Sequence, residues 1–189
     1  MKNEEIETTL GSEFGIFFNM LDPVIQELNL DKGAKILDIG TGSGRMAISL
    51  ALNDYKVLTG EPESDNSVYA KRDWISIAKK AKVEHLIEFK AFEAEVMPFE
   101  DDFFDAIFIL GAFHHMRDKQ MAFNECLRTM KKGGILCILE PTKRRIKTIR
   151  KKFPSHPDAV DPRGYAKDLH SEIKNIGMFD AFIFNIPNN

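Results

Sequence analysis

The stretch Ile36-Leu37-Asp38-Ile39-Gly40-Thr41-Gly42-Ser43-Gly44 constrains the fold of this chain more than any other. A short apolar run enters a turn with glycine at alternate positions, and a helical pattern then continues from Gly44 to about Asn53. Glycine permits positive φ and lets a ligand approach the backbone. The helix start leaves amides pointing back at the turn. A strand, a tight turn and a helix in this order open an alternating α/β chain.

The rest of the sequence continues the alternation. Strands are expected at Ala34–Ile39, Tyr55–Gly60, Leu86–Ala91, Phe104–Leu110 and Ile135–Leu139. The near-continuous apolar run of Phe104–Leu110 suits burial on both faces. Between the strands, Asp65 or Asn66 would cap a helix to about Lys82, with Tyr69 and Trp74 as packing residues. Asp118 would cap a helix carrying Ala122, Phe123, Cys126, Leu127 and Met130, stopped by Gly133-Gly134. Ahead of the first strand, Ile6, Leu10, Phe14, Phe17 and Leu21 recur at helical spacing. Asp22-Pro23 reads as an N-cap and first helical position, starting a second helix to about Asn29. At the other end, Ala166, Leu169, Ile173 and Ile176 read as a last helix ended by Gly177, before a final strand Phe179–Ile186. The expected architecture is α/β, a doubly wound, mostly parallel Rossmann-like sheet with helices on both faces and an antiparallel final strand. With one strand read after Gly177, the sheet is expected to be one strand short at its C-terminal edge. Residues 1–189 are read as a single domain: a helical cap to residue 30, a core over 34–140 and a C-terminal cap from 141.

Bulk properties narrow the function. The 189 residues carry a net charge of −3, so no global basic field recommends nucleic acid. No run of 18 apolar residues suggests a membrane span, and the polar, acidic start lacks a signal-peptide core; a cytoplasmic protein is expected. Cys126 and Cys137 lack metal-ligand spacing and read as buried thiols.

Chemistry-bearing residues fall at strand ends, where open α/β sheets bind ligands. A dinucleotide site wants Gly-x-Gly-x-x-Gly, whereas this turn is Gly-x-Gly-x-Gly. Asp38, inside the strand end, suits a cationic or hydroxyl-rich ligand better than a pyrophosphate. Glu61, at the end of the second strand, stands where a ribose diol is gripped, with Glu63 as its rival. After the third strand, a carboxylate in Ala91-Phe92-Glu93-Ala94-Glu95-Val96-Met97-Pro98-Phe99 could accept from an adenine amino group.

Taken together, these segments resemble the class I S-adenosylmethionine-dependent methyltransferases, in the group that includes ubiquinone/menaquinone methyltransferases. The resemblance rests on Leu37–Gly44, Glu61, Ala94–Phe99, Phe104-Asp105-Ala106, Phe113-His114-His115 and Lys131–Leu136, and covers about residues 34–140. It implies transfer of the methyl group of S-adenosylmethionine, leaving S-adenosylhomocysteine, to a small-molecule acceptor. It assigns the cofactor to Asp38, Gly40, Thr41, Gly42, Gly44, Glu61, Pro62, Glu93, Ala94, Glu95, Leu110 and Gly111. Asp38 and Gly40 would face the methionine portion, Glu61 the ribose, Glu93 and Ala94 the adenine, and Leu110 and Gly111 the methionine pocket. Glu93 stands where the family usually has aspartate.

Methyl transfer from a sulfonium mainly requires alignment, and a base is needed only for a nucleophile that must lose a proton. His114 and His115 are the candidate bases, with loop-fixing hydrogen bonds as the alternative role. They are not read as a metal pair, because adjacent side chains diverge and the sequence offers no further ligand cluster; no metal is expected. Phe14, Phe17 and Phe18 could form a lid over a sulfonium, with plain core packing as the alternative; Phe14 and Phe17 lie on the apolar stripe, which makes Phe18 the more interesting of the three. The basic run Lys143, Arg144, Arg145, Lys147, Arg150, Lys151 and Lys152 suits phosphate, carboxylate, RNA or an anionic membrane, and equally a solvated helix face. Ile146, Ile149 and Phe153 give that run an apolar edge. Monomer and homodimer both remain open. Two rival readings are a non-catalytic S-adenosylmethionine-binding module and a nicotinamide-dependent oxidoreductase.

Overall fold

The computed structural model describes residues 3–65, 73–167 and 169–188. Seven strands form a sheet in the order β3-β2-β1-β4-β5-β7-β6. The chain divides into two compact units, Met1–Phe92 and Glu93–Asn189.

In the first unit, β1 (Ile36–Ile39) pairs in parallel with β2 (Val57–Gly60), which pairs in parallel with β3 (Ile87–Phe89). All four residues of β1 are buried, Asp38 among them. Helix α1 (Asn3–Leu10) and helix α2 (Ser12–Glu27) break at Gly11, whose φ of 91° favours glycine. The break expected at Asp22-Pro23 is absent, and Pro23 lies inside α2. Proline there removes the hydrogen bond to the Asn19 carbonyl, and Asn19 lies on the exposed side of the helix, where that loss is tolerated. Helix α3 (Arg45–Leu52) follows the glycine turn, and helix α4 (Trp74–Ala81) starts at Asp73, whose carboxylate accepts from the Ser76 amide at 3.1 Å. The cap expected at Asn66, and Tyr69, lie outside the described residues. Ile6, Phe14, Phe18, Ile48, Ala78 and Ala81 pack these four helices into one apolar cluster.

In the second unit, β4 (Phe104–Leu110) pairs in parallel with β5 (Met130–Pro141). Antiparallel to β5 runs β7 (Phe179–Asn185), and β6 (Ser171–Asn175) pairs antiparallel with β7. The helix expected around Leu169–Ile176 is therefore a strand, and the sheet is not one strand short. The apolar spacing that mimics a helix there belongs to an edge strand, where Ile173 is exposed. Helix α5 (Lys119–Thr129), capped by Asp118 through the Met121 amide at 3.0 Å, ends before the glycines that were expected to stop it. Gly133 and Gly134 instead sit in β5, where pairing with β4 jumps from Phe104–Met130 to Ala106–Ile135. A Cβ on Gly134 would meet the Lys131 carbonyl oxygen at 2.8 Å. Phe123 of α5 is fully buried and meets Phe184 of β7 edge-on at 5.4 Å. Burial of such a ring contributes about 1.5–3 kcal/mol. Helix α6 (Lys143–Arg150) carries most of the basic run and buries Ile146. Both cysteines are buried, and burial pushes each thiol up to about 12.

Candidate functional site

Asp38 is 1% exposed at the end of β1. One carboxylate oxygen, Oδ2, accepts from the Thr59 hydroxyl at 2.8 Å, and the other, Oδ1, has no hydrogen-bond partner. Because Thr59 gives its single proton to Asp38, Thr41 donates to Thr59 at 2.9 Å. A buried carboxylate oxygen without a donor is costly. Burial accordingly pushes Asp38 up to about 7, against the opposing effects of its bond from Thr59 and of the nearby Ala47 backbone amide, with the Glu61 charge adding to the rise.

The turn beside Asp38 leaves its backbone bare. Gly40, Gly42 and Gly44 have φ of 90°, 48° and 72°, a region that disfavours side chains. A Cβ on Gly44 would lie 2.8 Å from Trp74 Cβ. The Gly40 amide donates to Gly60 O at 2.8 Å, joining the turn to β2. Glu61, directly after β2, is buried and accepts from the Gly42 amide at 2.9 Å. Glu63 is exposed, so Glu61 is the acidic residue brought to the turn. Pro62 is half-buried beside it. Asp38, Thr41, Gly42, Thr59 and Glu61 are thus one constellation, with an unbonded oxygen in a dry setting that fits a ligand carrying a cationic or hydroxyl donor. Thr59 was missed from the sequence, although a polar residue in a buried strand signals it.

Other expected residues divide by role. Phe18 is buried in the same apolar cluster as Phe14, so it is a core residue and not a lid. Phe17 is also buried, under the Arg45 guanidinium at 3.7 Å. In the second unit, Glu93 bridges to Val96, and Ala94 is buried. The Glu95 carboxylate accepts from the amides of Arg117 and Asp118 at 2.9 and 3.2 Å, which commits it to holding that loop. Arg128 donates to Met97 O, Phe99 O, Asp101 and Glu125, fixing the acidic segment from the inside. Leu110 ends β4, and Gly111 follows it with a φ of 61°.

The turn Phe113–His115 comes next and presents the paired histidines differently from expectation. Their rings do not diverge: the centroids lie 4.2 Å apart. His156, from the loop after α6, packs against both at 5.1 and 4.9 Å. His114 Nδ1 meets Glu140 Oε1 at 2.9 Å with both side chains buried. The other Glu140 oxygen accepts from the Val160 amide at 3.0 Å. Burial holds the His156 imidazole below the usual histidine range. Neither Glu140 nor His156 was expected. A charged residue ending an apolar strand was the available signal for Glu140; His156 sits in a loop without periodicity.

Residues 37–138 match a protein family described as methyltransferase domain. The chain is 31% identical over 119 residues to 27-O-demethylrifamycin SV methyltransferase of Amycolatopsis mediterranei, a match covering 63% of this chain and 43% of that protein. It is 26% identical over 141 residues to demethylmenaquinone methyltransferase of Staphylococcus aureus, covering 74% and 56%. The chain thus spans about half the length of the curated relatives it matches. A Methanococcus maripaludis protein, solved as a candidate S-adenosyl-L-methionine-dependent methyltransferase, superposes with a TM-score of 0.70 at 19% identity, over 98% of this chain and 90% of that one; that likeness bears on the fold alone. With its glycine turn, its sheet order and more than half its length inside the family match, this chain belongs to the class I S-adenosylmethionine-dependent methyltransferases.

Proposed function

We propose that the protein binds S-adenosylmethionine through the constellation around Asp38 and transfers its methyl group to a small-molecule acceptor. The observation that carries this reading is the unbonded Oδ1 of buried Asp38 beside a side-chain-free turn. The cofactor's methionine portion carries an ammonium group that would supply the missing donor, and a charge-assisted bond in a dry site is strong. Glu61 would take the ribose hydroxyls in paired hydrogen bonds, with Gly40, Thr41, Gly42, Gly44 and Pro62 lining the approach. In the second unit, Glu93 and Ala94 are the adenine-side residues of the family pattern, and Leu110 and Gly111 the methionine-side ones. Glu95 supports that segment through its amide bonds. The whole chain, 1–189, is read as one methyltransferase domain.

The transfer itself is an in-line displacement in which the sulfonium leaves as a neutral thioether, so alignment supplies most of the rate. His114 and His115 follow β4, at the side where an acceptor would enter, and handle its proton where it carries one. Among the described residues no helix is long and apolar enough to cross a membrane, in keeping with a cytoplasmic enzyme. The exposed basic residues of α6 and Lys151-Lys152 suit an anionic acceptor, and contact with nucleic acid or an anionic membrane is the competing use of that face.

The test is incubation with methyl-labelled S-adenosylmethionine and a metabolite extract, followed by mass spectrometry. A labelled small molecule is expected. Tight cofactor binding with no labelled product from any acceptor pool would instead make the chain a binding module.

A further inference from the structure

We infer that His114, His115 and His156 form a binding site for a divalent transition metal of the zinc type. Their ligand-capable nitrogens lie within 4.8 Å of one another. A tetrahedral ion with bonds of about 2.1 Å would hold three nitrogens about 3.4 Å apart, so closure requires them to approach by at most about 1.4 Å. Three features distinguish this cluster from a chance meeting of rings.

First, His114 Nε2 is buried and lacks a hydrogen-bond partner, while its Nδ1 donates to Glu140. That arrangement leaves the lone pair on Nε2, as metal-binding histidines require, with a carboxylate behind the ring to fix it. Second, His156 repeats the pattern with a backbone acceptor: its Nδ1 lies 2.9 Å from the Pro157 carbonyl, which directs Nε2 as the ligating atom. Third, the supports are themselves held. Glu140 is 2% exposed and also accepts from Val160, and the Arg150 side chain donates to the His156 carbonyl at 2.8 Å. His115 alone of the three is exposed, so a fourth coordination position would open on its side to water or a ligand.

The turn that carries His114 and His115 follows the carboxyl end of β4, and Glu140 stands at the carboxyl end of β5, where sheets of this kind receive ligands. The open position therefore suits an oxygen donor of the acceptor. With an ion bound, His114 and His115 would serve as ligands in place of their role as bases, and the ion would lower the pKa of a coordinated hydroxyl, whose proton would pass to solvent. The site itself stands on the histidines and Glu140 and does not depend on the cofactor reading.

The experiment uses tag-free protein stripped with a chelator and titrated with Zn2+ by calorimetry and with Co2+ by visible absorption. One equivalent is expected to bind, and His115→Ala and His156→Ala are each expected to weaken binding at least tenfold. Glu140→Gln should weaken it about 10- to 100-fold, as loss of a ring-orienting partner does elsewhere. Because His115 is exposed, His115→Ala keeps the fold even where the other two variants lose stability. No saturable one-equivalent binding, or equal affinity in wild type and His115→Ala, would overturn the site. S-adenosylmethionine affinity measured on the same stripped protein is expected to be unchanged, which separates failure of the metal site from failure of the cofactor site.

Discussion

Two buried carboxylates stand near the carboxyl ends of strands, Asp38 on β1 and Glu140 on β5, and they are finished to different degrees. Glu140 has both oxygens bonded, one to His114 and one to the Val160 amide. Asp38 has one oxygen bonded to Thr59 and one bare. A completed carboxylate orients a side chain of its own protein; an incomplete one is arranged for a donor from outside. On the proposed reading, the contrast is that between a structural support and a ligand contact.

Titration separates the two most strongly. Asp38 has its folded pKa raised from 3.8 to about 7, chiefly by burial. Its contribution to stability is therefore fully present below about pH 4 and is lost as pH rises through 7. Relative to Asp38→Asn, which has no proton to lose, the ligand-free wild type should lose on the order of 4 kcal/mol across that window. Urea unfolding of both proteins at pH 4, 5.5 and 8 measures this; parallel pH profiles would break the contrast.

At Glu140 the larger effect should fall on folding. Glu140→Ala strands the His114 ring and the Val160 amide, and should cost about 3 kcal/mol at neutral pH. Denaturant unfolding reads it directly, and a loss well under 1 kcal/mol would mean that water replaces the carboxylate. Thr59→Val should cost about 2 kcal/mol of stability, since it removes two buried hydrogen bonds, one to Asp38 and one from Thr41, and leaves the isosteric methyl; a thermal melt is sufficient to detect it. Glu61→Gln should leave stability nearly unchanged and weaken S-adenosylmethionine binding about tenfold, through a lost charge-assisted bond to the ribose. Equilibrium binding by fluorescence or calorimetry checks it.

The Asp38 region was legible in the sequence because all its parts are local. The strand, the glycine turn and α3 are contiguous, and Glu61 directly follows the neighbouring strand β2. Backbone demands at Gly40, Gly42 and Gly44 are also expressed in residue type, since φ of 48–90° favours glycine. The histidine region was not legible, because Glu140 and His156 reach His114 only through tertiary packing. Even the adjacent His114 and His115 misled, since two neighbouring side chains converge only when a third ring and a buried carboxylate hold them. Elsewhere the misreadings have a common cause. Residues 169–176 carry helical spacing, yet pairing of β6 with β7 outweighs that local pattern. Pro23 looked like a helix start, yet α2 continues through it because its apolar face is already packed and Asn19 lies on its exposed side.

Calorimetric titration of S-adenosylmethionine into wild type and Asp38→Asn at pH 8 tests the central claim most directly. The expected result is one equivalent bound by the wild type and affinity at least tenfold weaker in the variant, with the variant no less stable in the absence of ligand. Below pH 7 wild-type binding should also weaken as Asp38 becomes protonated, with a proton released on binding. Equal affinity in the two proteins, or no binding by the wild type, would contradict the assignment of Asp38 as the carboxylate that awaits the cofactor.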